Sequence, residues 1–106
     1  MHGSSYHEMQ NNVEKYLYKY RGQAITVADI GSLDVNGTYK PLMDSSWRYV
    51  GLDICDGDNV DILMTNPDVI PLEGHSVDVV VSGQCLEHCK RPWVLMVEMG
   101  RIVKSE

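Results

Sequence analysis

Asp29-Ile-Gly31 and Asp53 carry the first chemical signal in the chain. Each carboxylate lies at or near the end of a mainly apolar run, and Asp53 follows Gly31 by 22 positions. A glycine at the end of a buried strand lets backbone and ligand approach closely, because no Cβ intervenes. A carboxylate ending the next strand can accept both hydroxyls of an adenosine ribose, each such charged hydrogen bond contributing roughly 1.5–3 kcal/mol. Taken singly, Gly31 reads as an ordinary turn and Asp53 as a solvated strand end. Taken together at this spacing, they read as a nucleoside site. A pyrophosphate-binding site would show Gly-x-Gly-x-x-Gly opening a substantial helix. Positions 33 and 36 are instead Leu33 and Asn36, and Pro41 interrupts the helix that should follow. A ligand without phosphate, carrying a ribose, an adenine and a charged amino-acid tail, fits better.

Other chemically able residues weigh less. Cys85, His88 and Cys89 fall at i, i+3 and i+4, one side of a helical turn, with Cys55 a conceivable fourth zinc ligand. Structural zinc sites usually present paired knuckles, so no metal is expected. Asp56, Asp58 and Asp61 lack the glycine and glutamate that a calcium loop needs at its sixth and twelfth positions, and read as a solvated acidic turn. Tyr16 and Tyr20 are read as packing residues rather than a substrate platform. His88 is the one residue near the fourth strand able to titrate near neutrality, which makes it a weak candidate base.

The elements that must position these residues follow from periodicity. Met9, Val13, Tyr16, Leu17 and Tyr20 predict a helix over 7–21, ended by Gly22. The nearly continuous apolar run 24–30 predicts a strand buried on both faces. Strands are also predicted over 47–53, 60–64 and 77–82, with a short helical piece around Tyr39 to Met43. Pro92 suits a first helical position, and Trp93, Leu95, Met96, Met99, Ile102 and Val103 are expected to form one apolar stripe behind it. Such alternation argues for an α/β layered domain around a mainly parallel sheet, with ligands outside the carboxyl ends of its strands.

Composition bounds the rest. The chain has 106 residues, enough for one compact domain and too few for two. With 15 acidic and 9 basic side chains its formal charge is −6, so no basic field argues for nucleic acid. An apolar content of 43% excludes a chain disordered throughout, and no apolar run approaches a membrane span. Three cysteines cannot all pair within one chain, and no secretory signal is readable, so a cytoplasmic location with reduced thiols is expected.

The residues resemble the class I S-adenosylmethionine-dependent methyltransferases, especially the type-11-like group. Val27-Ala-Asp29-Ile-Gly31-Ser32 looks like the family's first motif, and Tyr49-Val-Gly-Leu-Asp53 like its second. The run from Val77 through Glu87-His88, with Trp93 and Glu98-Met-Gly-Arg101-Ile-Val-Lys104, is similar to the family's stretch from fourth strand to following helix. The resemblance implies a Rossmann-like fold of strand order 3-2-1-4 with helices on both faces. It implies residues 1–23 as an N-terminal helical segment and 24–106 as the S-adenosylmethionine-binding half of a methyltransferase domain. By position, Asp29 and Gly31 would face the methionine portion, with Ser32 beside them. Asp53 would hold the ribose diol, Ile54 would pack against adenine, and Asp68 and Val69 would border its edge. Ser82 and Gln84 would lie beside the methionine portion. The family's second and third glycines become Leu33 and Val35 here, and Asn36-Gly37 stands where the turn could be restored.

The implied activity is methyl transfer to an unidentified acceptor. A noncatalytic S-adenosylmethionine or nucleoside binder, or a degenerate partner subunit, is the alternative; a dinucleotide oxidoreductase is a third class. The resemblance also implies that the chain stops where a fifth strand would begin. That leaves the strand over Val77 to Ser82 as an apolar edge, expected to pair with a second copy or to belong to a longer protein.

Overall fold

The computed structural model describes residues 3–33, 39–82 and 90–104, the side chains of 3–6 excepted. Helix α1 (Gly3–Asn12) runs into a π-helical turn (Val13–Leu17) and a 3-10 turn (Tyr18–Tyr20). Strands β1 (Thr26–Ile30), β2 (Arg48–Asp53), β3 (Ile62–Leu63) and β4 (Val79–Val81) follow, with a 3-10 turn at Lys40–Leu42. Helix α2 (Pro92–Ile102) closes the described chain. The strands form one parallel sheet of order β3-β2-β1-β4, the expected order.

β1 sits at the centre because it can be buried on both faces. Val27, Ala28, Asp29 and Ile30 are all buried, and β1 pairs with β2 over five residues and with β4 over three. Ala28, Ile30 and Leu52 pack with Ile70, Leu95 and Ile102 on the α2 side. Val27 and Val81 pack with Val13, Tyr39, Leu42 and Trp47 on the other, where the N-terminal helical segment lies. Leu95 and Ile102, seven residues apart, are the buried residues of α2, and burial of each side chain contributes roughly 1.5–3 kcal/mol.

Three differences from the periodicity have physical causes. The helix starts at Gly3 rather than residue 7, and its wide π turn shifts the phase, so Val13 is fully buried while Tyr16 is 56% exposed. The indole of Trp47 donates to Tyr20 O at 2.9 Å, holding the end of this segment against the sheet. In α2, Trp93 is 62% and Met96 59% exposed, because the buried line runs through Leu95 and Ile102 and these two lie off it. Finally, β4 does not run unbroken from Val77. Asp78 turns aside so that its Oδ2 accepts Thr26 N–H at 2.8 Å, tying down the start of β1. Val77 instead bridges to Val103 in parallel, and Lys104 N–H reaches Val77 O at 2.8 Å. The edge expected to be bare is thus already occupied at its first residue by the chain leaving α2. Among the described residues, no helix is long and apolar enough to cross a membrane.

Candidate functional site

Parallel register decides which side chains meet at the carboxyl ends of β1 and β2. Val27 pairs with Tyr49 and Asp29 with Gly51, so Asp29 and Tyr49 share a face. Asp29 is only 2% exposed. Its Oδ2 accepts the Tyr49 hydroxyl, whereas its Oδ1 has no hydrogen-bond partner among the described residues. Burial pushes the Asp29 carboxyl up to about 6; the Tyr49 hydrogen bond opposes this, and the charge of Asp53 adds to it. At neutral pH the site therefore holds a buried carboxylate with one bare oxygen. Tyr49 is itself held, since Asn59 Nδ2 donates to its hydroxyl at 2.8 Å and to Ser32 O at 3.0 Å.

The start of the loop after β1 is bound to β2. Gly31 turns the chain with φ +83°, a conformation that favours glycine. Gly31 and Ser32 both donate their N–H to Leu52 O, at 2.8 and 3.1 Å, and Leu33 N–H donates to Asp53 Oδ2 at 2.9 Å. The Ser32 hydroxyl, buried, donates to Asn59 O at 2.7 Å. Asp53 Oδ1 accepts Cys55 N–H at 3.0 Å. An ionised carboxylate offers about four lone-pair sites, so both Asp53 oxygens keep capacity for a ligand hydroxyl. Gly51 permits the crossing of these segments, for a Cβ there would meet Asn59 O at 2.2 Å and Ser32 Oγ at 2.6 Å.

This arrangement is unsuited to phosphate. The amides of residues 31, 32 and 33 all face β2, and two carboxylates stand at adjoining strand ends. What it can bind is a cation beside Asp29 and a diol beside Asp53. The hydroxyl of Ser82, just past β4, is the other buried polar group without a hydrogen-bond partner among the described residues. Because Asp29 pairs with Val81, the two orphaned groups belong to adjoining strand ends. That is where the sheet order reverses and ligands of such sheets sit.

The remaining expected positions are dispersed. Ile54 follows β2 and is 55% exposed, an apolar surface beside Asp53. Asp68 is paired with Arg91, and Val69 is exposed on an open groove of about 800 Å³ between residues 68–73 and α2. Gln84, Cys85, His88 and Cys89 lie outside the described residues. Asp61, weighed with the acidic turn, uses its carboxylate to accept Gly51 N–H at 2.7 Å.

Sequence reasoning missed two networks. One is Asn59–Tyr49–Asp29, for which the two-residue alternation along β2 was the available signal. The other joins Glu98 and Arg101. Glu98 accepts Ile70 N–H at 3.0 Å, and Arg101 donates to Leu72 O at 2.9 Å, to Ile70 O at 2.8 Å and to Glu98 itself. These bonds clamp the segment after β3 onto α2, and the Arg101 bond holds the Glu98 carboxyl below the usual range.

Residues 16–106 match the family model described as "Methyltransferase domain". No curated protein matches the chain. Among solved structures, it is similar to a protein from Methanococcus maripaludis assigned as an S-adenosyl-L-methionine-dependent methyltransferase, with TM-score 0.70 and 23% identity over 96% of this chain and 52% of that one. It is also similar to a SAM-dependent methyltransferase from Aquifex aeolicus, with TM-score 0.63 and 18% identity over 98% and 68% of the two chains. A third similarity is to a chain in the complex between the Haloferax volcanii Trm112 methyltransferase activator and a methyltransferase (TM-score 0.61, 22% identity, 94% and 54% covered). These likenesses are of fold, and the chain spans about half the length of the first.

Proposed function

The chain belongs to the methyltransferase domain family, and from that premise we propose that it binds S-adenosylmethionine at the carboxyl ends of β1, β2 and β4 for methyl transfer to an acceptor. The observation that carries this reading is the Asp29–Asp53 pair. Two carboxylates at adjoining strand ends, over a loop whose first three amides face β2, suit a cationic nucleoside and repel a phosphorylated one.

S-adenosylmethionine, when bound, supplies a methyl group already activated by its sulfonium centre. Asp29 Oδ1 accepts from the ammonium of the methionine portion, a role its orphaned state supports. Gly31 keeps the approach free of a side chain, and Ser32 secures the loop through Asn59. Asp53 accepts the ribose hydroxyls while bracing Leu33 and Cys55. Ile54 covers one face of the adenine, with Asp68 and Val69 at its edge, and Ser82 and Gln84 complete the methionine end. These side chains bind, orient and exclude water, which is most of what this reaction asks of a protein. A base is needed only where the acceptor must lose a proton.

The acceptor and any partner subunit are further proposals. A solved relative of this fold is held in a complex with an activator. Among the described residues no strand lies beside the outer edge of Val79–Val81, and a strand from a second chain would add there. Transfer of labelled methyl from S-adenosylmethionine to an acceptor panel of small molecules, proteins and nucleic acids tests the activity. Incorporation into one class, lost on Asp53→Ala, is the expected result; binding without transfer to any class would reduce the protein to a binder.

A further inference from the structure

We propose that Tyr49 is a positioning residue: its hydroxyl, held from behind by Asn59, fixes the Asp29 carboxylate so that Oδ1 is presented to the ammonium of the bound cofactor. The inference rests on the cofactor reading given above and concerns a residue on β2 outside the proposed binding set.

The polarity of the network carries it. The Asn59 side-chain nitrogen donates both to Ser32 O and to the Tyr49 oxygen, at 3.0 and 2.8 Å, which fixes the orientation of the amide. The Tyr49 oxygen thus acts as acceptor toward Asn59, and its own proton goes to Asp29 Oδ2. One oxygen of a carboxylate only 2% exposed is thereby engaged, and the other is left bare. Without the tyrosine hydroxyl, neither oxygen would have a partner among the described residues. Burial would then favour the protonated acid, which cannot serve a cation as an ionised acceptor. Among the described residues, the charged groups around this pair are few. Asp53 at the end of β2 disfavours ionisation of Asp29, and Lys40 Nζ lies 5.7 Å from the centre of the Tyr49 ring. From β4 the paired residues are valines.

Tyr49→Phe keeps the ring and removes the hydroxyl. Carbon-13 carboxyl NMR of the ligand-free protein reads the ionisation of Asp29, and calorimetry with S-adenosylhomocysteine reads its consequence. The expected result is a midpoint raised by about one pH unit, with binding approaching tenfold weaker below about pH 6 and only about twofold weaker at about pH 7. That deficit shrinks as the pH passes the new midpoint. Comparing two proteins cancels the titration of the ligand itself, whereas a purely structural tyrosine predicts the same loss at every pH. Should Tyr49→Phe fail to fold, Asn59→Gly suits the positive φ of 67° there, removes the donor behind the hydroxyl, and is expected to move the midpoint the same way by less. Wild-type binding with an unmoved midpoint overturns the role of Tyr49 alone, as does a moved midpoint with a pH-independent deficit. A moved midpoint with no wild-type binding overturns the cofactor reading, and positioning toward its ammonium with it.

Discussion

Asp53, which ends β2, accepts the amide of Leu33 at 2.9 Å, so the carboxylate proposed to hold the ribose also holds the loop that follows β1. Its second oxygen accepts Cys55 N–H at 3.0 Å. Binding and loop order are therefore one property of one side chain. Asp53→Ala is expected to lower unfolding stability by roughly 1–3 kcal/mol through its two lost acceptors, besides weakening the ligand. Asp53→Asn keeps one acceptor but turns the other oxygen into a donor facing an N–H, and should retain at most about half of that stability. Denaturant unfolding of the two variants checks the order; equal losses contradict the bracing role.

Gly51 separates a required glycine from a tolerated one. Gly51→Ala drives a Cβ to 2.2 Å from Asn59 O, a backbone atom that cannot simply swing away. A loss of about 2–4 kcal/mol is expected, above the usual range for overpacking because both segments must shift. Gly100, exposed in α2 with nothing near its Cβ position, gives the opposite sign. Gly100→Ala should stabilise by about 0.5–1 kcal/mol through helix propensity. Thermal unfolding of the pair decides, and a stable Gly51→Ala protein would contradict the close crossing.

Much of this architecture was legible beforehand because it depends on continuous burial. The run 24–30 read as a central strand, and Val27 to Ile30 are buried together. The apolar endings at Asp29 and Asp53 placed both carboxylates at neighbouring strand ends, as the register has them. What was not legible depends on phase and on long-range pairing. A π turn displaced Tyr16, and Trp93 and Met96 lie off the buried line of α2. Neither the Val77–Val103 bridge nor the Tyr49 bond to Asp29 leaves a local trace, since their partners stand 26 and 20 positions apart.

Asp29 makes stability fall as pH rises. Its carboxyl ionises near the ordinary value of 3.8 when exposed but only at about 6 in the fold. Between these values the native state binds more protons than the unfolded one, so stability declines with increasing pH. The stabilising contribution of the protonated form is fully present below 3.8 and gone above about 6. Asp29→Asn should therefore stabilise the ligand-free protein above pH 6 by on the order of 2–3 kcal/mol, while weakening ligand binding. Unfolding measured from pH 4 to 8 shows it; a mutant that tracks wild type across that range contradicts the burial argument.

Arg101 holds the segment after β3 through Ile70 O and Leu72 O while pairing with Glu98 on its own helix, a fork that lysine cannot reproduce with one point charge. Arg101→Lys is expected to lower stability and to speed amide exchange at Ile70 and Leu72. Unchanged protection at those amides would remove the clamp.

A phosphorylated nucleoside should find no site here. NAD, at concentrations that saturate ordinary dehydrogenases, is expected to leave the melting temperature unmoved, because the amides of residues 31–33 face β2. A dose-dependent rise on adding NAD would return the oxidoreductase class to consideration.

The most direct measurement is calorimetric titration of S-adenosylmethionine into the folded wild-type chain and into Asp53→Ala at neutral pH. Saturable one-site binding to wild type, weakened at least tenfold by the substitution, is the predicted result. Absence of heat from a demonstrably folded wild-type sample, or equal affinity in the two proteins, would contradict a cofactor site built on the ends of β1 and β2.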